Sequence, residues 1–196
     1  MSEGERFTFY AAKHHLAHVG DLAAGDEFDA ALQLFTAGLR RHEAPANKSA
    51  THLERNRYTV SGEVVFRGKR GIVVDFGVPA GCPLELLSEC DLLPGDAVRG
   101  EVLLAWLDDW PPTYERAYEE QWIDVDLPSA PPLTRRWQVE RIRLQTTPWK
   151  ELSPGVFARD WEAGRTWAEI ERTNSATDDP RRAEYFLECR LVPVFD

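Results

Sequence analysis

The stretch from Arg57 to Gly77, RYTVSGEVVFRGKRGIVVDFG, alternates between apolar and polar residues with a period of two over its first half. This period places successive side chains on opposite faces of a strand, so the stretch predicts a half-buried β-strand. RGKRG then supplies a glycine-flanked turn, and IVVDF follows as a strand that is apolar on both faces, as in the centre of a sheet. The two strands predict a hairpin, which commits this part of the chain to a β fold.

Further β-rich runs follow along the chain. AVRGEVLLAW comes after a Pro-Gly-Asp turn, and RWQVERIRLQT, GVFARD, RTWAEIERT and EYFLECRLV are separated by SPG, EAG and SATDDP turns. These four runs predict a C-terminal β-meander. In the last of them Tyr185, Leu187, Cys189 and Leu191 share one face, so Cys189 is interpreted as a small core residue.

Two segments resemble each other at an offset of 70 residues. DLAAGDEFDAALQL at 21–34 and DLLPGDAVRGEVLL at 91–104 share Asp-Leu-x-x-Gly-Asp followed by a run that ends in Leu. A second similarity links YTVSGEVV, WQVERIRL and YFLECRLV. We interpret these as an internal repeat of β units. On this basis 27–36 is predicted to be a strand, although its apolar spacing also fits a helix.

The fold class predicted from these patterns is mostly β. It comprises one or two fused small β-barrel or sandwich-like lobes, the C-terminal meander, and one short helix near 112–122. The proline-rich segment DLPSAPPL at 126–133 is the candidate linker. It predicts an N-terminal β lobe over 1–126 with an acidic, aromatic helical insertion, and a meander over 127–196 that packs on the first lobe as one compact unit.

The run GEVVFRGKRGIVVDFG…LLPGDAVRGEVLL resembles the strand rhythm of an S1-type OB barrel. This resemblance implies a nucleic-acid-binding barrel. Residues 40–70 hold eight Lys or Arg against three acids, and three of these bases crowd the hairpin tip. The candidate nucleic-acid contacts are therefore Arg67, Lys69 and Arg70, although an ordinary exposed turn explains them as well.

The most acidic stretch, WLDDWPPTYERAYEEQW, carries an aromatic residue at every fourth position from Trp106 to Trp122. Because proline suits the first turn of a helix, a helix that begins at Pro111–Pro112 would place its Tyr and Trp residues on one stripe. This stripe either packs on the barrel beside a solvated acidic face or forms a partner surface. The candidate partner-binding residues are Trp106, Asp108, Asp109, Trp110, Tyr114, Glu115, Tyr118, Glu119, Glu120 and Trp122.

The formal net charge of −10 opposes non-specific binding of nucleic acid, since that binding depends on neutralising phosphates. It favours a basic protein partner. The sequence therefore favours a non-enzymatic binding protein that recognises a basic protein through the acidic, aromatic stretch, and one concrete form is an immunity-type inhibitor of a toxin. The alternatives are the OB-like nucleic-acid-binding barrel and a metal-dependent enzyme.

The metal alternative rests on KHHLAHVGD, where His14 and His18 are four residues apart and Asp21 follows three residues later. Gly20 limits a helix there to about two turns, and the stretch lacks the glutamate of H-E-x-x-H. No metal, cofactor or catalytic residue is predicted. Cys82, Cys90 and Cys189 lack CxxC spacing. No GxSxG, Walker A or GxGxxG motif occurs either.

The chain shows no signal peptide and no apolar run near the roughly 20 residues of a membrane span, which predicts a cytoplasmic protein. Arginine outnumbers lysine 19 to 4. We interpret this ratio as the mark of a GC-rich bacterial genome.

A triple Glu-to-Gln variant tests the acidic stretch. Changing Glu115, Glu119 and Glu120 to Gln should leave folding intact, because these positions are predicted to be solvated. It should slow association with a basic partner, and the loss should shrink as salt rises, since steering charges are screened over about 8 Å at physiological ionic strength. Pull-downs from the native host with wild type and variant measure this. Equal recovery of the same proteins would make the acids a solvated face only.

Overall fold

The structure is a computed structural model that describes residues 5–35, 38–43, 47–87, 91–107, 127–179 and 182–193. These residues form strands, one short α-helix (α1, Lys13–Val19) and three 3-10 turns at Leu84–Leu86, Leu127–Ser129 and Trp161–Ala163. The strands are β1 (Arg6–Ala12), β2 (Glu27–Ala30), β3 (Leu32–Phe35), β4 (Arg40–Arg41), β5 (Ser49–Glu54), β6 (Arg57–Arg67), β7 (Gly71–Asp75), β8 (Pro79–Pro83), β9 (Ala97–Trp106), β10 (Arg135–Gln145), β11 (Trp149–Ser153), β12 (Val156–Arg159), β13 (Trp167–Ile170) and β14 (Glu184–Leu191).

Five strands, β3, β6, β7, β8 and β9, close into a barrel. The predicted hairpin is β6–β7, and β8 extends it; β9 then returns to pair with β6, which gives the Greek-key order β9-β6-β7-β8. β3 closes the barrel, parallel to β8 and antiparallel to β9. A five-stranded Greek-key barrel is the OB arrangement, but here the closing strand precedes the other four in the chain.

The remaining long strands form a second ring that shares β3 and β9 with the barrel. β2 runs into β3 through a bend at Ala31, whose carbonyl accepts a hydrogen bond from the Leu107 amide (2.8 Å). β10 pairs with β2 on one side and with β14 on the other. β14 pairs with β1, and β1 runs parallel to β9 at Tyr10 and Ala105. Each ring is therefore closed by one parallel pair of strands.

The two rings match ladder by ladder. In the barrel Gly62 on β6 faces Val98 on β9, and in the second ring Trp137 on β10 faces Phe28 on β2. β6 and β10 carry bulges at corresponding places, after Val64 and after Val139. The helical turns also correspond, because α1 follows β1 and the turn Leu84–Leu86 follows β8. The chain thus builds two rings of the same plan.

The repeated Asp-Leu-x-x-Gly-Asp turn has the same hydrogen bonds in both copies. The Asp26 carboxylate accepts from the Ala23 amide (2.8 Å), and the Asp96 carboxylate accepts from the Leu93 amide (2.7 Å). That bond, with a contribution from Arg41, holds the pKa of Asp96 below its usual range. The internal repeat predicted from 21–34 and 91–104 is confirmed.

Each copy of this turn docks on a bulged strand in the same way. The Gly25 and Gly95 amides donate to the carbonyls of Val139 and Val64 respectively, at 2.8 Å in both cases. The two glycines have φ of 95° and 94°, a conformation that favours glycine. The repeated glycine is therefore required by the backbone of the turn.

The second sequence similarity, among YTVSGEVV, WQVERIRL and YFLECRLV, is contradicted by the strand register. It aligned Tyr58 with Trp137, whereas the ladders align Gly62 with Trp137. The segment 185–192 belongs largely to β14, which takes the place of β7 rather than that of β6. Short amphipathic strands resemble one another because of their shared period, so their sequences alone fix neither register nor position.

One main hydrophobic core extends through both rings, and a smaller cluster of Val73, Leu107 and Leu133 is separate from it. Trp137 is fully buried; its indole N–H donates to the Ala30 carbonyl (3.0 Å), and its ring lies 5.8 Å from the ring of Phe7 and 5.5 Å from that of Phe9. Strands from both sides of the predicted boundary at 126/127 pair with each other, since β1 and β2 lie beside β14 and β10.

The mostly β fold class is confirmed, and so is the strand predicted over 27–36 for its described part, as β2 and β3. The C-terminal runs form strands, with β13 and β14 on opposite sides of β10 and β11–β12 as a separate two-stranded sheet. Cys189 is buried as predicted. The helix predicted near 112–122 lies outside the described residues. None of the described helices is long and apolar enough to cross a membrane.

The close approach of the Gly38 backbone to Gly100 on the shared strand β9 gives a test of the fold. A Cβ at Gly100 would lie 2.1 Å from the Gly38 carbonyl oxygen, whereas a Cβ at Gly38 would come no closer than 3.2 Å to another atom. Gly100→Ala should therefore lower the free energy of unfolding by about 3 kcal/mol or more, and Gly38→Ala should cost less. Urea unfolding measures the free energy of unfolding of both variants. Equal losses of stability would contradict the close approach at Gly100.

Candidate protein-binding surface

The hairpin β11–β12 projects from the long connection between β10 and β14 and pairs with no other described strand. Its turn runs through Pro154 and Gly155, and Gly155 has φ of 77°. Large apolar side chains are exposed on this hairpin and the turn after it: Leu152 (63% exposed), Val156 (52%), Phe157 (37%) and Trp161 (51%). We call these four residues the arm surface. Exposed apolar side chains concentrated on one element make it a candidate for interaction; Val156 and Phe157 are consecutive in β12 and point to opposite faces of the hairpin.

A buried ion pair holds the base of this hairpin. The Arg159 guanidinium bonds the Asp179 carboxylate at 2.8 Å, and both side chains are almost fully buried. Asp179 also accepts from the Trp149 indole N–H (2.9 Å), while Arg159 lies 4.2 Å from the centre of the Trp149 ring. Arg159 further donates to the Thr147 carbonyl (2.7 Å). The pair is thus held by several bonds, as a buried pair must be if it is not to destabilise the fold. In this pair, the Arg159 Nε–H alone has no hydrogen-bond partner among the described residues.

The segment after β13 is fastened to the second ring by carboxylates. The Asp21 carboxylate accepts from the Ser175 amide (2.8 Å), and Asp178 accepts from the Asn174 amide (2.6 Å). Tyr185, which is buried on β14, donates its hydroxyl to Asp178 at 3.0 Å. Burial, with this bond to Asp178, raises the pKa of Tyr185 above its usual value. The connection that carries the hairpin is therefore anchored at both ends.

An open groove on the barrel extends this surface. Phe35 and Leu103 face each other across β3 and β9, and both are more than two-fifths exposed. Arg165 reaches this groove, and its guanidinium lies 5.1 Å from the ring centre of Trp161. Arg165 therefore links the arm surface to the groove residues Phe35 and Leu103.

The exposed charges of the hairpin are mostly acidic. Glu151 and Glu162 are exposed and Asp160 is half-buried, whereas Lys150 is the only base among residues 149–162 apart from the buried Arg159. Lys150 itself bonds Glu162 at 2.9 Å. The described structure therefore contains an apolar surface with acidic neighbours, at a place that differs from the stretch predicted from sequence.

Of the ten partner-binding residues predicted from sequence, the structure describes Trp106 alone; the other nine lie outside the described residues. Trp106 is 7% exposed, and its ring packs on those of Phe28 (4.8 Å) and His15 (5.4 Å). This burial agrees with the packing alternative for Trp106. The partner-binding role of the stretch stays a prediction.

The basic residues Arg67, Lys69 and Arg70 lie at or beside the tip of the β6–β7 hairpin, as predicted. Lys69 and Arg70 are exposed at the tip, and Arg67 is half-buried and donates to the Leu92 carbonyl (2.7 Å).

At the far end of the same hairpin the Asp75 carboxylate accepts from Lys48 (2.6 Å) and from the Gly77 amide (3.0 Å). Burial acts to raise the pKa of Asp75, but these bonds outweigh it and the pKa lies below its usual range.

Of the three candidate metal residues, His14 packs on His15 and Asp21 holds a turn, whereas the side chain of His18 lies outside the described part of the structure. His14 and His15 lie in α1 with ring centres 4.1 Å apart, and His15 is buried against Trp106. Asp21 is engaged by Ser175, as described above. Across the described ranges no three His, Cys, Asp or Glu side chains are grouped so that they could hold a metal. Cys82 and Cys189 are buried free thiols; burial raises the pKa of Cys82 to about 12 and that of Cys189 further.

Sequence reasoning missed the arm surface. The strand GVFARD and the SPG turn were recognised, but a short apolar run has the same pattern whether it faces a core or solvent. The missing information was that β11 and β12 pair only with each other, which depends on how β10 and β14 close the second ring.

Removing the buried cation should release the hairpin from the rings. Arg159→Gln leaves the Asp179 carboxylate buried without its cation, which should cost about 3–5 kcal/mol locally. Hydrogen exchange should then speed up in 149–159 while β6 keeps its protection. Lys150→Gln, which breaks only an exposed pair on the same hairpin, is the control and should change neither. Unchanged exchange of the hairpin in Arg159→Gln would contradict the anchoring role.

Comparison with protein-family models, with curated proteins and with solved structures finds no significant match to this chain. The contacts, burial and charges described above are therefore the basis on which a function is assigned.

Proposed function

We propose that this chain is a non-enzymatic binding protein that recognises a basic protein through the arm surface, Leu152, Val156, Phe157 and Trp161. The observation that carries the proposal is that these four exposed apolar side chains lie on a hairpin, or on the turn directly after it, and that the buried Arg159–Asp179 pair fixes this hairpin. An isolated two-stranded hairpin is marginally stable in water. The buried anchor therefore stabilises an element whose outer residues contribute little to the core.

Trp161 and Phe157 are the arm-surface residues that suit a binding hot spot, whereas Leu and Val are under-represented at such positions. Trp is among the residues most enriched at positions where truncation costs the most binding energy, and Phe is enriched at interfaces. Because the hairpin is already ordered, association pays less entropy than it would for a disordered segment. The groove residues Phe35 and Leu103 supply further apolar area beside Trp161, joined to it by Arg165.

Charge is the reason for a basic partner. The chain has a net charge of −10, and Glu151, Asp160 and Glu162 lie beside the arm surface. Opposite charges speed the encounter of two proteins and favour one orientation. An inhibitor that covers the nucleic-acid site of a basic toxin is one concrete form. The rest of the acidic, aromatic stretch, residues 108–122, is proposed as a further part of the contact. A bacterial, cytoplasmic setting belongs to the same proposal.

A second candidate function is nucleic-acid binding by the barrel. In OB barrels the loop between the first two strands takes part in binding oligonucleotides. In this barrel that loop is the β6–β7 turn, which bears Arg67, Lys69 and Arg70. The net charge of −10 opposes such binding. Affinity for RNA at physiological salt is therefore expected to be no tighter than roughly 10⁻⁴ M, and submicromolar binding lost on changing these three residues to Ala would favour this candidate.

A double variant tests the arm surface. Phe157→Ser with Trp161→Ser should lower affinity for the partner by about tenfold or more. Stability should hardly change, because both side chains are exposed. Leu93→Ser is the matched control, since Leu93 is 55% exposed but lies in the turn before β9.

The measurement has two stages. Wild type captures host proteins, which are identified by mass spectrometry, and each captured protein is then purified and titrated with the three forms at two salt concentrations. The proposal requires a basic partner whose binding weakens in the double variant, persists in the control and falls with salt. A captured protein that binds all three forms equally would count against the arm surface.

A further inference from the structure

Two arginines face each other on the outside of the barrel. Arg40 on β4 lies directly opposite Arg99 on β9, and both are exposed. Like charges directly opposite in a sheet are destabilising. Within the part of the chain that the structure describes, neither makes an ion pair, whereas their neighbours Arg41 and Arg57 bind Asp96 and Glu101. The fold thus places two cations together without a carboxylate between them.

Hydrogen-bonding side chains continue from this pair across the sheet. Ser61 on β6 faces Arg99, and Ser49 on β5 faces Ser61, so the residues form one row. With the parallel row of Thr59 and Thr51 they line a groove with a cavity volume of about 280 Å³. The groove is therefore rich in hydroxyl groups and has the Arg99 guanidinium at one side, with Arg40 opposite Arg99 on the neighbouring strand. His42 and Asn47 complete the lining.

The second ring shows what the same positions look like when the charge is balanced internally. Arg99 and Ser61 correspond to Asp29 and Arg136, which face each other on β2 and β10. There Arg136 donates two hydrogen bonds to the Asp29 carboxylate, both at 3.0 Å. The barrel carries Arg99 at the position where the second ring carries Asp29. No carboxylate therefore balances the charge at this position of the barrel.

Two carboxylates near the groove are already engaged. Glu101, two residues from Arg99, is bonded by Arg57, and Asp75 is bonded by Lys48. Glu63, two residues from Ser61, contributes through its charge to the raised pKa of Lys48 and makes no ion pair with Arg40 or Arg99. Within the described residues, Arg40 and Arg99 therefore have no carboxylate partner.

We propose that the groove beside Arg40 and Arg99 binds a tetrahedral oxyanion, either free or as the phosphate or sulfate group of a small ester. Guanidinium groups bind such oxyanions through two parallel N–H bonds, and a second guanidinium strengthens the contact. The hydroxyls of Ser49, Thr51, Thr59 and Ser61 are placed to contact the remaining polar groups of the ester. This site is separate from the arm surface and does not rest on the proposed function.

Thermal stability in phosphate tests this site, because a ligand that binds the folded state raises Tm. Sodium phosphate should raise the Tm of wild type above the value in sodium chloride of equal ionic strength. Arg40→Gln and Arg99→Gln should lose this increment. Arg136→Gln, in the equivalent strand pair of the second ring, should keep it. In phosphate-free buffer Arg99→Gln should be at least as stable as wild type, since it removes a repulsion; a purely structural arginine would give the opposite result.

Two further measurements sharpen the outcome. The Arg99 side-chain Nε–H resonance should shift on titration with phosphate, and a sugar phosphate should shift it at lower concentration than inorganic phosphate if the hydroxyl rows contact an ester. Sulfate separates oxyanion binding in general from phosphate binding. Equal phosphate increments in all four proteins, or an Arg99 resonance that does not move, would overturn the proposal. So would a shift that appears only with a single-stranded oligonucleotide.

Discussion

The antiparallel pair β3–β9 is the contact on which the whole structure depends. Leu34 and Leu104 are partners at its centre and both are fully buried. β3 closes the barrel and, together with β2, forms one side of the second ring, whereas β9 belongs to both. Because each ring needs both strands to close, neither can form its complete set of ladders alone. The main core, which runs through both rings, follows from this sharing.

Two rings with one plan carry different surfaces. In the barrel the connection between β6 and β7 is a short basic turn, and in the second ring the corresponding connection between β10 and β14 carries the hairpin β11–β12. The core positions differ in the same way, since Trp137 fills the second ring where Gly62 lies in the barrel. The ladders fix the frame, so loops and outward-facing residues are free to diverge. Both proposed sites use such positions.

The proposed contacts separate two uses of arginine. Arg159 is buried, bonds Asp179 and Thr147, and lies over Trp149. Its charge is therefore neutralised within the protein, and its bonds order the hairpin. Arg40 and Arg99 are exposed, opposite each other, and available to an anion from outside. Burial and the presence of a carboxylate partner, rather than the residue type, decide which role an arginine takes.

By itself the sequence determined the strands and the repeated turn. The period-two pattern predicted β6 and β14, and the continuous apolar run IVVDF predicted β7. The copies of Asp-Leu-x-x-Gly-Asp predicted a repeat that the bonds of Asp26 and Asp96 confirm. These features are local, because they depend on side-chain period and on a carboxylate three residues from the amide it binds. Tertiary structure alone decided that β3 and β9 are shared, that Trp106 is buried and that β11–β12 stands apart. It also placed Arg40 opposite Arg99, 59 positions along the chain. Such contacts join residues far apart in sequence through the register of several strands, and strands with the same period do not encode which partner each one takes.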